Sequence, residues 1–305
     1  MDFSFLTDPA GFGLGESWLP LQPAASYALV FLAGVLNTLK VALPALLFST
    51  VLGFAVGLGK LSVDPLVQRV CRVWVSALRN VPLLLVLLAV YFAWVQLLPI
   101  ASQAWQPLPG LFVCKSGVFV PAWNFAGGWQ IPVQGRFSVI GGWSTSPEFL
   151  ALCLALSVYT SSFVAEIVQA GVQSVPHGMV QGGLSLGLTN RQVRRFVVLP
   201  LAMRLVVPPL SNQYLNLLKN ASLGVAVGYP EIVSVTNTAL NQSGQVLECM
   251  VVVMAVYACL SLLASVAMQA INFRFNLTSQ AVKSRKFAHG WHFKKGSKAV
   301  NGELS

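Results

Sequence analysis

The chain has 305 residues, of which 55% are hydrophobic and only 9% are charged, and its formal net charge is +10. A soluble domain carries about a quarter charged residues, so this composition does not suit a water-soluble protein. Uncharged apolar stretches recur along the chain, and a helix needs about 20 such residues to cross a bilayer. The sequence therefore predicts an all-α integral membrane protein and excludes a soluble enzyme.

The basic residues are grouped rather than spread. Residues 60–79, 191–204 and 274–298 hold fifteen of the nineteen lysines and arginines. Each group lies beside an apolar stretch, which is the arrangement that the positive-inside rule describes. A nucleic-acid groove would instead interleave aromatic residues with the charges. We therefore predict contact with a lipid bilayer and none with nucleic acid.

The N-terminal segment, residues 1–26, contains Asp2, Asp8 and Glu16 and no lysine or arginine. It lacks the basic region of a signal peptide, and its acidity suits an extracytoplasmic position. The apolar stretch 27–39 that follows either prolongs the first membrane span or lies along the outer interface.

Apolar segments in five places predict transmembrane helices, at about residues 38–59, 82–99, 149–173, 205–218 and 249–273. Placing the basic groups inside puts the N-terminus outside and the C-terminus inside. Residues 27–273 then form the transmembrane domain, and residues 274–305 form a basic cytoplasmic tail. We expect this tail to be disordered and to contact anionic lipid.

Residues 100–148, between the second and third spans, are rich in tryptophan, proline and glycine. The charge pattern places them on the extracytoplasmic side of the membrane. We expect either a short structured loop or an interfacial helix.

No metal site or catalytic site is predicted. The five cysteines show no metal-binding spacing, and His289 and His292 have no third ligand nearby. The segment GFAVGLGK departs from the GxxxxGK[ST] phosphate loop at Phe54 and Leu61. The chain is therefore not expected to hydrolyse ATP itself.

The most informative segment is residues 174–200, which the charge pattern places inside. Its glycines would let another surface approach the backbone closely. The pattern predicts a short helix, a turn and a second helix capped by Thr189 or Asn190, with Arg191 on a cationic face. A simple connector needs none of this, so we predict a docking element for a cytoplasmic partner.

Glu166 is a carboxylate near the cytoplasmic end of the third span. A charge in hydrocarbon is costly, so it should face a polar cavity or a partner. The alternative is a helix-end ion pair with Arg79 or Arg204.

Polar and small residues inside the spans mark helix contacts or a solute path. Asn212, Gln213 and Asn216 lie on a span that contains two prolines. They either line a path along a proline-interrupted helix or form hydrogen bonds between helices. Gly53 and Gly57, four residues apart, predict a helix-packing face.

Residues 174–200 resemble the EAA loop of permease subunits in bacterial ABC importers. That pattern is E-A-A, three residues, Gly, and then nine residues before I-x-L-P. The spacing holds here without gaps. The matching positions are Gln181, Gly182 and Gly183 for E-A-A, Gly187 for the glycine, and Val197, Leu199 and Pro200 for I-x-L-P. Gln181 departs from the pattern by losing the charge of the glutamate.

Further segments resemble the polar amino-acid permeases, the histidine, glutamine, arginine and opine group. They occur in the order in which that group has them, at residues 79–84, 165–176, 208–214 and 217–223. Residues 228–231 and 240–245 are most similar to the general L-amino-acid branch.

The resemblance implies the type I ABC importer permease fold, in the bacterial inner membrane. It implies a subunit that translocates polar L-amino acids together with a cytoplasmic ABC ATPase dimer, a periplasmic amino-acid-binding protein and a second permease. The second permease would be a related chain or, alternatively, an identical copy. ATP and Mg²⁺ would bind to the ATPase, with no cofactor on this chain.

Two groups of residues follow as site candidates. The ATPase-coupling loop would use Gln181, Gly182, Gly183, Gly187, Arg191 and Pro200. A possible solute pathway would use Asn80, Glu166, Asn212, Gln213 and Asn216. The alternative function is an ion-coupled secondary transporter of small polar solutes, which would need inverted repeats and coupling-ion ligands. The sequence shows no internal repeat.

Overall fold

The computed structural model describes residues 3–19, 21–22, 24–124 and 128–290, with side chains through residue 273 except that of Asn124. The described residues form nine α-helices: α1 (Tyr27–Gly59), α2 (Pro65–Arg79), α3 (Leu83–Leu97), α4 (Pro147–Gln173), α5 (His177–Ser185), α6 (Asn190–Val193), α7 (Leu199–Asn220), α8 (Ile232–Ser243) and α9 (Val246–Gly290). Short 3-10 helices occupy Ser4–Thr7, Ala101–Gln103 and Ala221–Val227, and a π-helical turn occupies Arg194–Val198. The described parts of Met1–Ala170 and Asn212–Leu262 form one compact unit, and those of Gly171–Ser211 and Leu263–Ser305 form a second.

Each of the five predicted spans coincides with a helix, namely α1, α3, α4, α7 or α9. By length and apolar composition alone, α1, α4 and α9 could each cross a membrane. Helices α2 and α3 pass the same test only when taken together as one span, bent by 105°. Helix α7 has 22 residues, enough for a core that needs about 20, but it is more polar. The predicted helical membrane architecture is therefore confirmed, while the number of spans and their direction stay predictions.

Helix α1 packs directly against α4 through two glycines. A Cβ atom at Gly53 would lie 2.5 Å from the side chain of Val164, and one at Gly57 would lie 2.7 Å from the carbonyl oxygen of Ala165. The absence of both side chains lets the two backbones approach, as small residues do in membrane helix pairs. The predicted packing face at these glycines is confirmed, and its partner is α4.

Helix α1 runs without interruption for 33 residues, so the stretch 27–39 prolongs the first span. The N-terminal segment folds against the start of this helix. Pro9 pairs with Ser26 as an isolated bridge, and the ring of Phe5 lies 5.6 Å from that of Tyr27. The same part of α1 contacts α8, and together they bury a shared apolar cluster.

An ion pair fixes the N-terminal segment to α1. Lys40 is buried in the helix and pairs with the carboxylate of Glu16. The side-chain amide of Asn37 donates hydrogen bonds to the carbonyl oxygens of Glu16, at 2.8 Å, and Pro230, at 2.9 Å. Because an unpaired buried charge is costly, Glu16 neutralises Lys40 and holds the segment in place.

Glu231 is fully buried and caps helix α8. Its carboxylate accepts hydrogen bonds from the backbone N–H groups of Val233, at 2.9 Å, and Ser234, at 2.8 Å. Burial raises the pKa of Glu231 from 4.5 to about 7, and these two donors oppose the rise. The start of α8 therefore depends on a carboxyl group that titrates near neutral pH.

Residues 100–148 form a small β-structure. Its strands are β1 (Trp105–Leu108), β2 (Leu111–Cys114), β3 (Gly117–Val120), β4 (Ala122–Asn124), β5 (Gly128–Gln130), β6 (Val133–Gln134), β7 (Val139–Ile140) and β8 (Trp143–Thr145). Strands β1, β2, β3 and β8 form an antiparallel sheet in that order, and β4–β5 and β6–β7 form separate pairs. The indole N–H of Trp94 in α3 donates to the carbonyl of Cys114 at 3.2 Å, which ties the sheet to that helix. The expectation of a structured loop is confirmed, and the interfacial-helix alternative is wrong because valine and aromatic residues favour strands here.

Helix α7 contradicts the expected proline interruption. Pro208 and Pro209 both lie inside a continuous helix. Each proline removes one backbone donor, but membrane helices tolerate this because neighbouring groups satisfy the freed carbonyls. The amides of α7 are therefore presented by side chains of an unbroken helix.

The prediction of a disordered tail is wrong for residues 274–290, whose backbone continues α9 to Gly290. The polar residues of this stretch include several with good helix propensity, so loss of hydrophobicity does not end the helix. Residues 291–305, with His292, and the side chain of His289 lie outside the described part of the chain.

Replacing Gly57 with alanine should destabilise the protein. The new Cβ would press on the carbonyl oxygen of Ala165, a backbone atom that cannot rotate away. We expect a loss of about 1–3 kcal/mol, measured as a lower unfolding temperature of the chain in detergent. Gly178→Ala is the matched control, since Gly178 is also helical but has nothing within 4 Å of its Cβ position. Equal unfolding temperatures for G57A and wild type would contradict the close α1–α4 contact.

Glu231 should make the stability of the chain depend on pH. Because folding raises its pKa from 4.5 to about 7, the folded chain keeps a proton that the unfolded chain releases. The stability that the protonated Glu231 contributes is therefore fully present below the unfolded-state pKa of 4.5. It falls as the pH rises from there through the folded-state pKa of about 7, by up to about 3 kcal/mol in the free energy of unfolding. We expect the unfolding temperature in detergent to be lower at about pH 8 than at about pH 5.

Glu231→Gln should flatten that profile, since its amide cannot ionise. Glu248→Gln is the control, because it removes a partly buried carboxylate from the first turn of α9 without touching the cap of α8. A wild-type profile in E231Q would show that another group carries the pH dependence.

Candidate functional site

Residues 174–200, named here the coupling loop, contain a helix that ends in a left-handed turn. Helix α5 is followed by Gly187, whose φ is +80°. The N–H of Gly187 donates to the carbonyl of Leu184 at 3.0 Å, and the N–H of Leu188 donates to that of Gly183 at 3.2 Å. This pair of bonds is a Schellman motif, in which glycine at the left-handed position avoids a Cβ clash. Gly187 therefore sets the angle at which the chain leaves α5.

Thr189 starts the second helix of the coupling loop. The N–H of Gln192 donates to the Thr189 hydroxyl at 3.4 Å, and the N–H of Thr189 donates to the Gln192 side chain at 2.8 Å. This reciprocal pair is a capping box. Helical backbone then continues through α6 and the π-helical turn into α7. The predicted helix, turn and capped helix are confirmed, and the cap is Thr189 rather than Asn190.

The two helices of the coupling loop pack through Gly183, which is buried; a Cβ there would lie 3.2 Å from the side chain of Val193. The other five predicted coupling residues are exposed, namely Gln181, Gly182, Gly187, Arg191 and Pro200. Large apolar side chains are exposed around them, at Met179, Leu186 and Phe196. A segment that exposes several large apolar side chains beside charges suits a protein-binding surface.

Glu166 combines both roles that the sequence left open. Its carboxylate forms an ion pair with Lys60 and a second with Arg79 at 3.6 Å. It also lines a cavity of about 410 Å³ at the cytoplasmic end of α1 as the charge rule orients it. We name this space the basic cavity, and its lining residues are Lys60, Arg72, Val75, Ser76, Arg79, Asn80 and Glu166. The predicted pathway residues Asn80 and Glu166 are therefore brought together.

Sequence reasoning missed Lys60 as the main partner of Glu166. The two residues are 106 positions apart, so no local pattern links them. A signal was nevertheless present in the small-residue spacing of α1. Once Gly57 is placed against Ala165, Lys60 lies about one turn further along α1, beside the residue that follows Ala165.

Two of the predicted amides line a second cavity. This cavity, of about 220 Å³, is lined by Tyr159, Thr160, Phe163, Gln213, Asn216, Leu217 and Asn220. Asn212 is exposed on the same helix but does not line it. Exposed amides on a helix of this kind are unfavourable in lipid, so they should face a partner or a polar path. The five predicted pathway residues thus fall into three places rather than one.

No candidate metal centre is found within the described residues, since no three histidine, cysteine, aspartate or glutamate side chains converge there. What the described residues offer is an exposed coupling loop and two polar cavities.

The chain matches the family described as "Binding-protein-dependent transport system inner membrane component" over residues 49–277. The match includes the whole coupling loop, the cavity-lining helices α2, α4 and α7, and both glycines of the α1 packing face. The chain belongs to this family. It is a permease, the membrane component of an importer whose ATPase activity lies in a separate subunit.

Named relatives are similar over nearly the whole length of this permease. It is 34% identical to the putative amino-acid ABC transporter permease protein YhdX of Escherichia coli K12, over 91% of this chain and 86% of the relative. It is 33% identical to the general L-amino acid transport system permease protein AapQ of Rhizobium johnstonii, over 91% and 84%.

Solved structures share the fold of this permease. A crystal structure described as an amino acid ABC transporter with histidines superposes with a TM-score of 0.61 at 22% identity, covering 81% of this chain and 95% of the other. The MetNI methionine ABC transporter in an inward-facing conformation gives a TM-score of 0.54 at 18% identity, covering 81% and 97%. The type I ABC importer permease fold implied by the sequence is therefore confirmed.

Removing the carboxylate of Glu166 should leave the buried ammonium of Lys60 with no near counter-charge. We expect Glu166→Gln to lower the unfolding temperature of the purified permease, because the Lys60 side chain is buried and would lose its closest counter-charge. The double variant Lys60→Met with Glu166→Gln should recover much of the loss, since it removes the uncompensated charge as well.

The same variants separate the two roles of Glu166. If the side chain also lines a solute path, E166Q should change which solutes compete for uptake by more than it changes assembly. A double variant no more stable than E166Q would contradict the ion-pair account.

Proposed function

We propose that this permease translocates polar L-amino acids inward across the bacterial inner membrane, as one membrane subunit of an ATP-driven ABC importer. The coupling loop carries the proposal, because it presents an exposed surface suited to a cytoplasmic partner in a chain of this family. The names of the relatives supply the substrate class, since YhdX and AapQ are both named as amino-acid permeases. A further relative, BztB of Rhodobacter capsulatus, is named for glutamate, glutamine, aspartate and asparagine.

The proposed assembly has four kinds of component. A dimer of cytoplasmic ATPases binds ATP and Mg²⁺, and this chain supplies no cofactor. A periplasmic amino-acid-binding protein delivers the solute. A second permease, most simply a related chain in a heterodimer, completes the pathway. Polar groups on α7 support a second permease, because Asn212 and Asn216 are exposed on a spanning helix and need polar neighbours.

The proposed mechanism uses the coupling loop as a lever. The ATPases would hold α5 through its exposed face, including Gln181 and Gly182. Closure of the ATPases on ATP would displace α5, and the Gly187 turn would pass the displacement to the helical backbone that continues into α7. A solute influences this cycle only through different affinities for the inward-facing and outward-facing states.

Gly187 provides the experiment that tests this function. The importer is reconstituted in vesicles with its ATPase and binding protein, and uptake of labelled L-glutamine is measured together with ATP hydrolysis. Gly187→Val should abolish most uptake per ATP hydrolysed, because a β-branched residue is strained at φ +80°. Gly187→Asn should retain most of it, since asparagine tolerates this conformation. A steric clash would not explain a loss of uptake in Gly187→Val, because nothing lies within 4 Å of a Cβ atom at this position.

The outcome separates the competing explanations. Unimpaired coupling in G187V would refute the lever. Uptake by the wild type that follows an ion gradient and ignores ATP would favour the ion-coupled secondary transporter instead. If uptake is driven by ATP but unlabelled amino acids do not compete with the labelled substrate, the proposed substrate class would be rejected and the ATP-driven mechanism would stand.

A further inference from the structure

We propose that the basic cavity binds the phosphate of an anionic phospholipid headgroup from the cytoplasmic leaflet. Three cationic side chains, Lys60, Arg72 and Arg79, line the cavity with one carboxylate, Glu166. Three positive charges against one negative leave two in excess. An anionic ligand in this cavity would neutralise the excess positive charge.

The donors around the cavity suit a phosphate group. Glu166 is engaged by Lys60 and Arg79, whereas Arg72 forms no ion pair within the described part of the chain and is exposed. Ser76 and Asn80 add a hydroxyl and an amide to the same lining. A guanidinium can donate hydrogen bonds to two phosphate oxygens at once. Arg72 is therefore the residue whose charged donors we assign to the phosphate.

Helix α2 forms one wall of the basic cavity. The helix is capped by Asp64, whose carboxylate accepts a hydrogen bond from the N–H of Leu66 at 2.8 Å. Its cavity-lining residues, Arg72, Val75, Ser76 and Arg79, recur at the spacing of one helix face.

A different face of α2 is apolar and exposed. Leu66, Val70 and Val73 are 70%, 60% and 62% exposed and also recur at helical spacing. An amphipathic helix of this kind lies in the membrane interface, with its apolar side toward the acyl chains.

The source of the anion follows from this position. The positive-inside rule places Lys60 and α2 at the cytoplasmic surface, where the leaflet carries anionic lipids. Acyl chains attached to the phosphate would lie against the exposed apolar face of α2, which a free phosphate ion could not use. A basic pocket between helices on the cytoplasmic side is the arrangement that binds such headgroups.

Native mass spectrometry of the complete transporter in neutral detergent tests the proposal. Dioleoyl-phosphatidylglycerol is titrated onto wild-type complex, with dioleoyl-phosphatidylcholine and inorganic phosphate as separate arms. We expect phosphatidylglycerol to bind more tightly than either. Arg72→Gln should weaken its binding about fivefold, the effect of one basic residue near an anionic lipid surface.

The controls are matched on the same helix. Arg69→Gln removes an exposed charge that does not line the cavity, so it should leave the affinity unchanged. Arg72→Lys keeps the charge but loses the two-pronged guanidinium, so it should recover only part of the affinity that R72Q loses. Unfolding temperatures verify that each variant is folded.

Four results would overturn the inference. Equal weakening by R69Q and R72Q would indicate general surface attraction. Inorganic phosphate binding as tightly as phosphatidylglycerol would assign the site to a free anion. Displacement of the lipid by L-glutamine would assign the cavity to the solute path. Equal binding of the two lipids would remove the need for an anionic headgroup. None of these measurements requires transport, so failure of the proposed function would not affect them.

Discussion

The close contact between α1 and α4 is the constraint on which the basic cavity of this permease depends. Gly53 and Gly57 let the two backbones meet, with a Cβ at Gly57 blocked by the carbonyl of Ala165. Such a contact cannot slide by one residue without a steric clash, so it fixes the register of the helix pair. Glu166 follows Ala165 directly and is therefore delivered to Lys60. The ion pair and the basic cavity are consequences of helix packing rather than independent features.

The spacing of the two lysines of the first span, Lys40 and Lys60, matches the thickness of the membrane's hydrocarbon core. Lys40 and Lys60 are twenty positions apart with no charged residue between them. This distance corresponds to about 30 Å of helix, the thickness of the hydrocarbon core. Each lysine is buried and pairs with a carboxylate from a different element, Glu16 from the N-terminal segment and Glu166 from α4. Lysine without a partner would be costly at either depth. The two pairs therefore anchor both ends of one span and attach a neighbouring element to each.

Periodicity and local chemistry predicted the parts of this structure that depend on nearby residues. The positions of the membrane helices followed from hydropathy. The helix, turn and helix of the coupling loop followed from Gly187 and Thr189, because the turn and the cap involve residues at most five positions apart. Contacts between distant segments could not be read in this way, as the pair of Lys60 with Glu166 shows. The continuity of α7 through Pro208 was also misjudged, because in a membrane helix neighbouring groups can satisfy the carbonyls that a proline leaves without a donor.

The role proposed for the coupling loop sets two requirements that conflict, and different residues would meet each of them. A docking helix must offer a face to another protein, which Gln181 and Gly182 do by remaining exposed. A lever would also have to resist bending, and the buried Gly183 and the capping box at Thr189 would serve this by holding the two helices together. The π-helical turn that follows inserts extra backbone before α7 without ending the helix, and such turns shift which residues face a given side. The loss of charge at Gln181 is compatible with this division, because rigidity and exposed apolar surface do not depend on a carboxylate.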